Sequence, residues 1–378
     1  MQNYMVTREE KYMKKKVLMV CEALGGGVFT YVTQLANDMC EEFDVYCAYA
    51  IRVQTPDNYK EFFDKRVKLI EVKNFGSITN VASNIKVIKE LRNIEKMINP
   101  DIIHLHSSIA GGIGRIAFKG EKNIVVYTPH GYNYLMVNEK SFKGKFYKML
   151  EKILGYSNSI TLTCCESEDV EAKKFSKRTH YIETGVNIAD LSKDLDNVEP
   201  IKNDKFTVFT LGRVCYQKQP WLFNEIAKLV PEAKFVWIGG GDLEHHLTSP
   251  NIEITGWKPR KEALAMSKGA DVFILCSLGE AVAMSLIEEM YIGKLCMVSD
   301  VVGNKSVMQD GVNGYVCNTP EEYAKRIKEA IKEFPDELAR KAHEDVLTIY
   351  NTNSMKEKYI NFYSSLANSK SEVLTNEK

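Results

Sequence analysis

The chain has 378 residues, 44% of them hydrophobic and 26% charged, with 50 basic and 50 acidic side chains. This length exceeds the roughly 250–300 residues at which a single core stops growing, so two domains are expected. The zero net charge excludes nucleic-acid binding by bulk electrostatics, no run reaches the roughly 18 apolar residues of a membrane span, and the charged residues 1–16 lack the apolar stretch of a signal peptide.

Short apolar runs alternate with amphipathic stretches from the first residues onward. Residues 17–21, 44–50, 67–72, 102–105, 124–127 and 159–164 predict buried strands. Helical periodicity separates several of them, at 29–39, 81–98 and 142–154. A polar stretch without apolar period, 190–205, reads as a linker. The pattern then restarts, with strands at 206–211, 234–238, 252–254, 272–276 and 295–298 and helices at 220–229, 261–267, 285–292 and 321–334. This β-α-β order predicts an α/β protein of two doubly wound domains. A last helix is expected at about 353–366, and the polar residues after it read as a disordered tail.

Nine cysteines are present, an odd number without a C-x-x-C pair. Cys21, Cys47, Cys276 and Cys296 sit in apolar runs, and Cys164 and Cys165 are adjacent, which suits a reducing compartment and a cytoplasmic protein.

Ligands of parallel sheets bind beyond the carboxyl ends of strands, so the residues that follow each strand carry the functional expectation. Gly25-Gly26-Gly27 follow the first strand, where backbone can approach a phosphate or sugar. A dinucleotide fingerprint would need glycine where Thr30 stands, and an acidic residue is missing after the second strand. His104 and His106 share one face of a strand end, but neither they nor His245-His246 have an evident third ligand, so no metal is expected. His130 and Gly131 follow a later strand, where a polar side chain would meet substrate.

In the second half, Gly212-Arg213 with Lys218 pairs a glycine turn with two cations suited to a diphosphate. Glu280 lies in a loop after the strand at 272–276, and Glu288 about one turn into the following helix, which starts near Met284. The helix start offers N–H groups to phosphate, while the two carboxylates suit hydroxyls of a sugar and a ribose. A nucleotide sugar has that layout.

The set resembles the retaining glycosyltransferases of family 4 (GT4), which have the GT-B fold of two Rossmann-like domains around a cleft. Glu280 and Glu288 match the family's E-x7-E pair, and Gly212, Arg213 and Lys218 its diphosphate loop. Gly25–Gly27 match its glycine loop and His130-Gly131 its H-G element, while residues 182–187, 239–241 and 255–257 also fall at family positions. The resemblance implies an acceptor-binding domain at 1–190, a donor-binding domain at 191–351, a helix at 352–368 packed back on the first domain, and a disordered tail at 369–378. It implies that His130 lies near the reacting carbon, that Arg213 and Lys218 neutralise the leaving diphosphate, and that Glu280 binds the donor sugar. Glu288 would hold the ribose, Trp257 and Lys258 the base, and Gly26, Gly27, Gly212 and residues Ala281, Val282, Ala283, Met284 and Ser285 would approach donor through their backbone. The sequence departs from the family pattern at Val282 and Ala283, where Phe-Gly is common, at Ser285, where Pro is common, and at Thr184, where Asn is usual.

The first half carries 27 basic against 23 acidic side chains, and the second half the reverse. Within it, residues 140–154 interleave five lysines with aromatic and aliphatic residues, which predicts a helix able to lie on a membrane surface. The partners expected are therefore a nucleotide sugar, which is a substrate and leaves no separate cofactor to be expected, and a glycan or lipid-linked acceptor at the inner face of the cell membrane. The alternatives are a nucleotide-sugar epimerase of the same fold and a catalytically silent homologue serving as a binding subunit.

Overall fold

The computed structural model describes residues 14–22, 24–73, 75, 81–120, 123–137 and 140–376; most of the charged start lies outside them. Thirteen strands are found among the described residues. The first seven are β1 (Lys16–Cys21), β2 (Asp44–Tyr49), β3 (Lys68–Glu71), β4 (Ile102–His106), β5 (Ile124–Thr128), β6 (Ser159–Thr163) and β7 (Thr179–Tyr181). The other six are β8 (Thr207–Leu211), β9 (Lys234–Ile238), β10 (Ile252–Ile254), β11 (Val272–Leu275), β12 (Leu295–Ser299) and β13 (Tyr315–Cys317).

They form two sheets, ordered β3-β2-β1-β4-β5-β6-β7 and β10-β9-β8-β11-β12-β13. Every pairing is parallel, for example Met19 with Cys47 on one side and His104 on the other. The central strands are apolar on both faces because helices cover both, so β1, β4, β11 and β12 are buried almost throughout. These are two Rossmann-like α/β domains facing one another across a cleft, the GT-B arrangement. In each sheet the strand order reverses beside the first strand, between β1 and β4 and between β8 and β11, and both reversal points carry the loops singled out from sequence.

The chain passes between the domains at two adjoining points. Val186 and Asn351 form a parallel bridge, with Val186 N–H donating to Tyr350 O at 3.0 Å and Thr352 N–H to Val186 O at 3.0 Å. A Cβ on Gly185 would lie 2.2 Å from the Asn351 carbonyl carbon, so only glycine allows the two segments to touch. Beyond this point the helix Thr352–Asn376 returns to the first domain. Its Met355, Tyr359 and Tyr363 are buried in the same core as Tyr31, Phe43 and one face of β1 and β2, from Val17, Met19 and Cys21 to Val45, Cys47 and Tyr49.

Several expectations need correction. The 190–205 stretch is not all linker, because the helix Ile188–Asp196 occupies its first part. Asn187 caps it by accepting from Asp190 N–H at 3.2 Å, and Ile188, Leu191 and Leu195 supply a short apolar stripe that packs on the second core. The tail beyond 366 is not disordered from its start: the backbone stays helical to Asn376, in a stretch without glycine or proline. Elements that periodicity missed include β7, β13 and the helices Ser108–Ala117, Glu166–Ala172 and Asp336–Thr348. The first two are three-residue strands, and the first helix buries nearly its whole surface, so neither shows an alternating pattern.

Candidate active site

The two reversal points meet across the cleft. A Cβ on Gly27 would lie 3.9 Å from Met284 Cγ, one on Gly131 3.3 Å from Ala281 N, and one on Gly279 3.1 Å from Leu135 O. At Gly131 and Gly279 glycine lets the walls approach to backbone distance, whereas the contact at Gly27 is an ordinary one. Ala281 and Val282 leave the second domain to pack against the first core, and Val282 touches both cores. Gly26 adopts φ +56°, at the start of the helix Gly26–Met39, with no side chain within 4 Å of where its Cβ would be.

On the second domain, β8 is followed by Gly212 at φ +132°, whose carbonyl accepts from Trp237 Nε1 at 2.9 Å. The loop that follows turns through Gln219 at φ +47° and delivers Lys218 to Glu280, Nζ to Oε1 2.7 Å. Ser277 Oγ donates to the same oxygen at 2.6 Å. Two further bonds tie the loops together: Gln217 Nε2 to Gly279 O at 2.8 Å, and Leu278 N–H to Gln217 O at 2.8 Å. Lys218 and Glu280 are thus one preorganised unit with both side chains mostly buried, while Arg213, earlier in the same loop, is exposed and has no ion-pair partner among the described residues.

The helix Met284–Ile292 starts immediately after this loop. Its first turn holds no acidic residue, and no side chain caps it; Ala283 is extended there (φ −74°, ψ 115°) and Ser285 is the second helical residue. Peptide N–H groups and the positive end of the helix dipole therefore face the loop that carries Glu280. Further along, Glu288 accepts from Arg260 in a fork, at 3.1 and 3.3 Å, and Arg260 also binds Asp194 at 2.8 Å. Trp257 is 70% exposed, and a Cβ on Gly240 would come within 3.8 Å of its ring; Lys258 is paired with Glu262 at 2.6 Å. Arg260 is a neighbour that sequence reasoning missed.

On the first domain, His130 sits in a left-handed turn, φ 53°, followed by Gly131 at φ 88°. Its Nε2 lies 3.0 Å from His106 Nδ1 and its Nδ1 3.6 Å from Cys164 Sγ, with the His106 ring stacked at 5.3 Å and Tyr31 edge-on at 4.6 Å. Burial pushes the His130 imidazole down to about 3, and burial lowers His104 and His106 well below the usual range. All three are neutral at pH 7. His104 and His106, expected on one face, do lie with rings 4.0 Å apart; His104 bonds Tyr363 at 2.6 Å and Thr128 at 2.8 Å, which engages both its nitrogens. His106 Nε2 is buried without a partner.

Glu168 was not foreseen. It is fully buried and accepts from Gly131 N–H at 2.7 Å and Cys164 N–H at 2.9 Å. Burial raises its carboxyl to about 7 against the pull of those two N–H groups. Its helix, Glu166–Ala172, is only seven residues long, so no periodic signal could mark it.

The helix Phe142–Leu154 begins at Ser141, whose Oγ accepts from Gly144 N–H at 3.0 Å. It is anchored by Glu151, which pairs with buried Arg115 at 2.9 Å and accepts from Tyr127 at 2.9 Å. Phe142, Met149 and Ile153 remain 87%, 50% and 58% exposed, among exposed lysines. Among the described residues no helix is long and apolar enough to cross a membrane.

Residues 25–190 match the family model described as Glycosyltransferase Family 4, and residues 192–345 the model described as Glycosyl transferases group 1. Over 320 residues the chain is 28% identical to UDP-Gal:alpha-D-GlcNAc-diphosphoundecaprenol alpha-1,3-galactosyltransferase of Escherichia coli, covering 78% of this chain and 79% of that protein. It is 25% identical over 328 residues to GalNAc-alpha-(1->4)-GalNAc-alpha-(1->3)-diNAcBac-PP-undecaprenol alpha-1,4-N-acetyl-D-galactosaminyltransferase of Campylobacter jejuni, covering 82% of this chain and 87% of that protein. In fold it is similar to the sucrose-phosphate synthase of Thermosynechococcus elongatus, with TM-score 0.78 at 16% identity over 94% of this chain and 100% of that one.

Proposed function

We propose that this chain, a GT-B glycosyltransferase related to family 4 and to group 1, moves a hexosyl group with retention from a UDP-sugar to a lipid-linked or glycan acceptor in surface-polysaccharide assembly. The observation that carries it is the Lys218–Glu280 pair in the loops that precede an uncapped helix start, with Arg213 exposed in the same loop as Lys218. As the bond from the anomeric carbon to the diphosphate breaks, negative charge grows on the leaving oxygen. Lys218, Arg213 and the N–H groups near Ser285 would stabilise that charge. Glu280, fixed by Lys218 and Ser277, would receive hydroxyls of the donor sugar; the acceptor oxygen forms the new bond and gives its proton to the departing diphosphate. His130, neutral at pH 7, would act near the reacting carbon as a hydrogen-bonding group rather than as a cation.

Glu288 would hold the ribose, which requires it to exchange Arg260 for donor hydroxyls. That exchange is inexpensive because Arg260 is half exposed. The names of the two curated relatives support an undecaprenol-diphosphate-linked acceptor, and the apolar side chains left uncovered on the helix Phe142–Leu154 support peripheral contact with the cytoplasmic face of a membrane. Retention, membership of family 4 and the polysaccharide role belong to the same proposal.

The test is a panel of nucleotide sugars screened by thermal shift, followed by slow donor hydrolysis with and without EDTA. A UDP-hexose that both stabilises and is hydrolysed, equally in EDTA, supports the assignment. Binding without any hydrolysis would favour a silent binding subunit, and conversion to an epimeric sugar would favour an epimerase.

A further inference from the structure

We propose that Glu168 is a positioning residue that sets the His130 turn against the donor loop. This rests on the His130 role proposed above. The carboxylate stands at the third position of the helix Glu166–Ala172, where a glutamate ordinarily reaches back to its own helix start. One oxygen reaches one residue past the N-cap Cys165 and accepts from Cys164 N–H at 2.9 Å. The other leaves the helix and accepts from Gly131 N–H at 2.7 Å, 37 residues away in sequence. A cap alone has no use for that second bond, whereas the His130-Gly131 turn does. Both its residues have positive φ, a conformation a non-glycine residue such as His130 keeps only when its surroundings hold it.

The same short segment grips the opposite wall of the cleft. Cys165 Sγ donates to Ala281 O at 3.2 Å. Ser167 Oγ accepts from Gly303 N–H at 2.9 Å and from Ser306 Oγ at 2.7 Å, and Ser167 N–H donates to Ser306 Oγ at 2.8 Å. Gly303, at φ +90°, lies so close beneath Glu280 and Ala281 that a Cβ would come within 2.6 Å of their carbonyl oxygens. An unbroken path of contacts therefore runs from the Glu280 loop through Gly303, Ser167 and Glu168 to Gly131 and His130. The segment 165–168 fixes the imidazole relative to the loop that would hold the donor sugar, and does so without touching donor. A glutamine at 168 presents one acceptor oxygen and turns an NH2 group toward the second N–H, so it cannot keep both bonds.

The experiment uses the full chain and the UDP-hexose that it hydrolyses, with UDP affinity measured by calorimetry. Glu168→Gln is expected to lower kcat about 10–100-fold, as a displacement of roughly 1 Å at a reacting group does. UDP affinity should stay within about 2-fold, since no diphosphate contact changes. His130→Ala should be slow as well, and the double variant no slower than the slower single one, because the two changes remove one shared effect. The His130 ring nitrogens, identified in NMR spectra by their loss in His130→Ala, should shift in Glu168→Gln. Should Glu168→Gln not fold, Glu168→Asp keeps the charge but withdraws it by about 1.5 Å and should show the same split. A near-normal kcat in the Glu168 variant beside a slow His130→Ala overturns this inference alone, as do losses that multiply in the double variant. A near-normal His130→Ala removes the His130 role and this inference together.

Discussion

Replacing Lys218 by alanine separates the proposed leaving-group role from structural support. The perturbation is well defined. Lys218 Nζ lies 2.7 Å from Glu280 Oε1, and the two side chains are 17% and 10% exposed. Alanine removes one cation beside the helix start and leaves Glu280 with Ser277. If Lys218 stabilises charge on the departing diphosphate, its loss should cost about 2–4 kcal/mol in the transition state, or roughly 10²–10³ in kcat. The unpaired Glu280 should separately cost about 1–3 kcal/mol of folding stability. For a domain of this size that is a fall of about 2–12 °C in melting temperature. Steady-state hydrolysis at saturating UDP-hexose reads the first quantity and calorimetric melting the second. The folding loss alone leaves enough native protein at 25 °C that it cannot imitate a hundredfold loss of rate. Turnover within about 3-fold of the parent at saturating donor would refute the leaving-group role. Arg213→Ala offers a control, because Arg213 is exposed and unpaired among the described residues: it should lose rate with almost no change in melting temperature.

Three further outcomes are expected. Glu288→Ala should raise the KM for donor about 10–100-fold and change kcat by less than about 3-fold, because ribose hydroxyls are bound alike in ground and transition states; unchanged UDP affinity in titration calorimetry would remove the ribose assignment. Glu289, buried with one oxygen bonded to Ser267 at 2.8 Å and the other unpartnered, has its carboxyl pushed up by burial to about 8. Its folded value lies above the unfolded 4.5, so its contribution is fully present below pH 4.5 and is lost as pH rises toward 8; Glu289→Gln should therefore be more stable than the parent at pH 8, with the gap closing toward pH 5 in urea titrations. Replacing Phe142, Met149 and Ile153 by serine should weaken binding to vesicles containing anionic lipid at least about 10-fold in sedimentation, and leave donor hydrolysis unchanged; equal binding would place any membrane contact elsewhere.

The sequence alone determined the fold class, because the alternation of buried runs with amphipathic stretches is a local property. β1, β8, β9 and β11 were legible within a residue or so for that reason, and so were the loops after them, since a strand followed by Gly212 or by Gly25 advertises a close backbone approach. Glu280 and Lys218 could be picked out as residue types at the right strand ends. Their pairing could not, because 62 residues separate them and only the neighbouring positions of β8 and β11 in the sheet bring their loops together. The same holds for Arg260 on Glu288. Elements whose order depends on contacts from elsewhere stayed hidden. The helix Ile188–Asp196 looked like linker because its stripe is three residues long, and β7 and β13 exist only as edge additions to a sheet already formed. Tertiary structure alone decided that His130 is neutral and that Glu168 reaches Gly131. A pKa set by burial and a hydrogen bond across 37 residues are properties of the surroundings, and the surroundings of a side chain are set by the path of the whole chain.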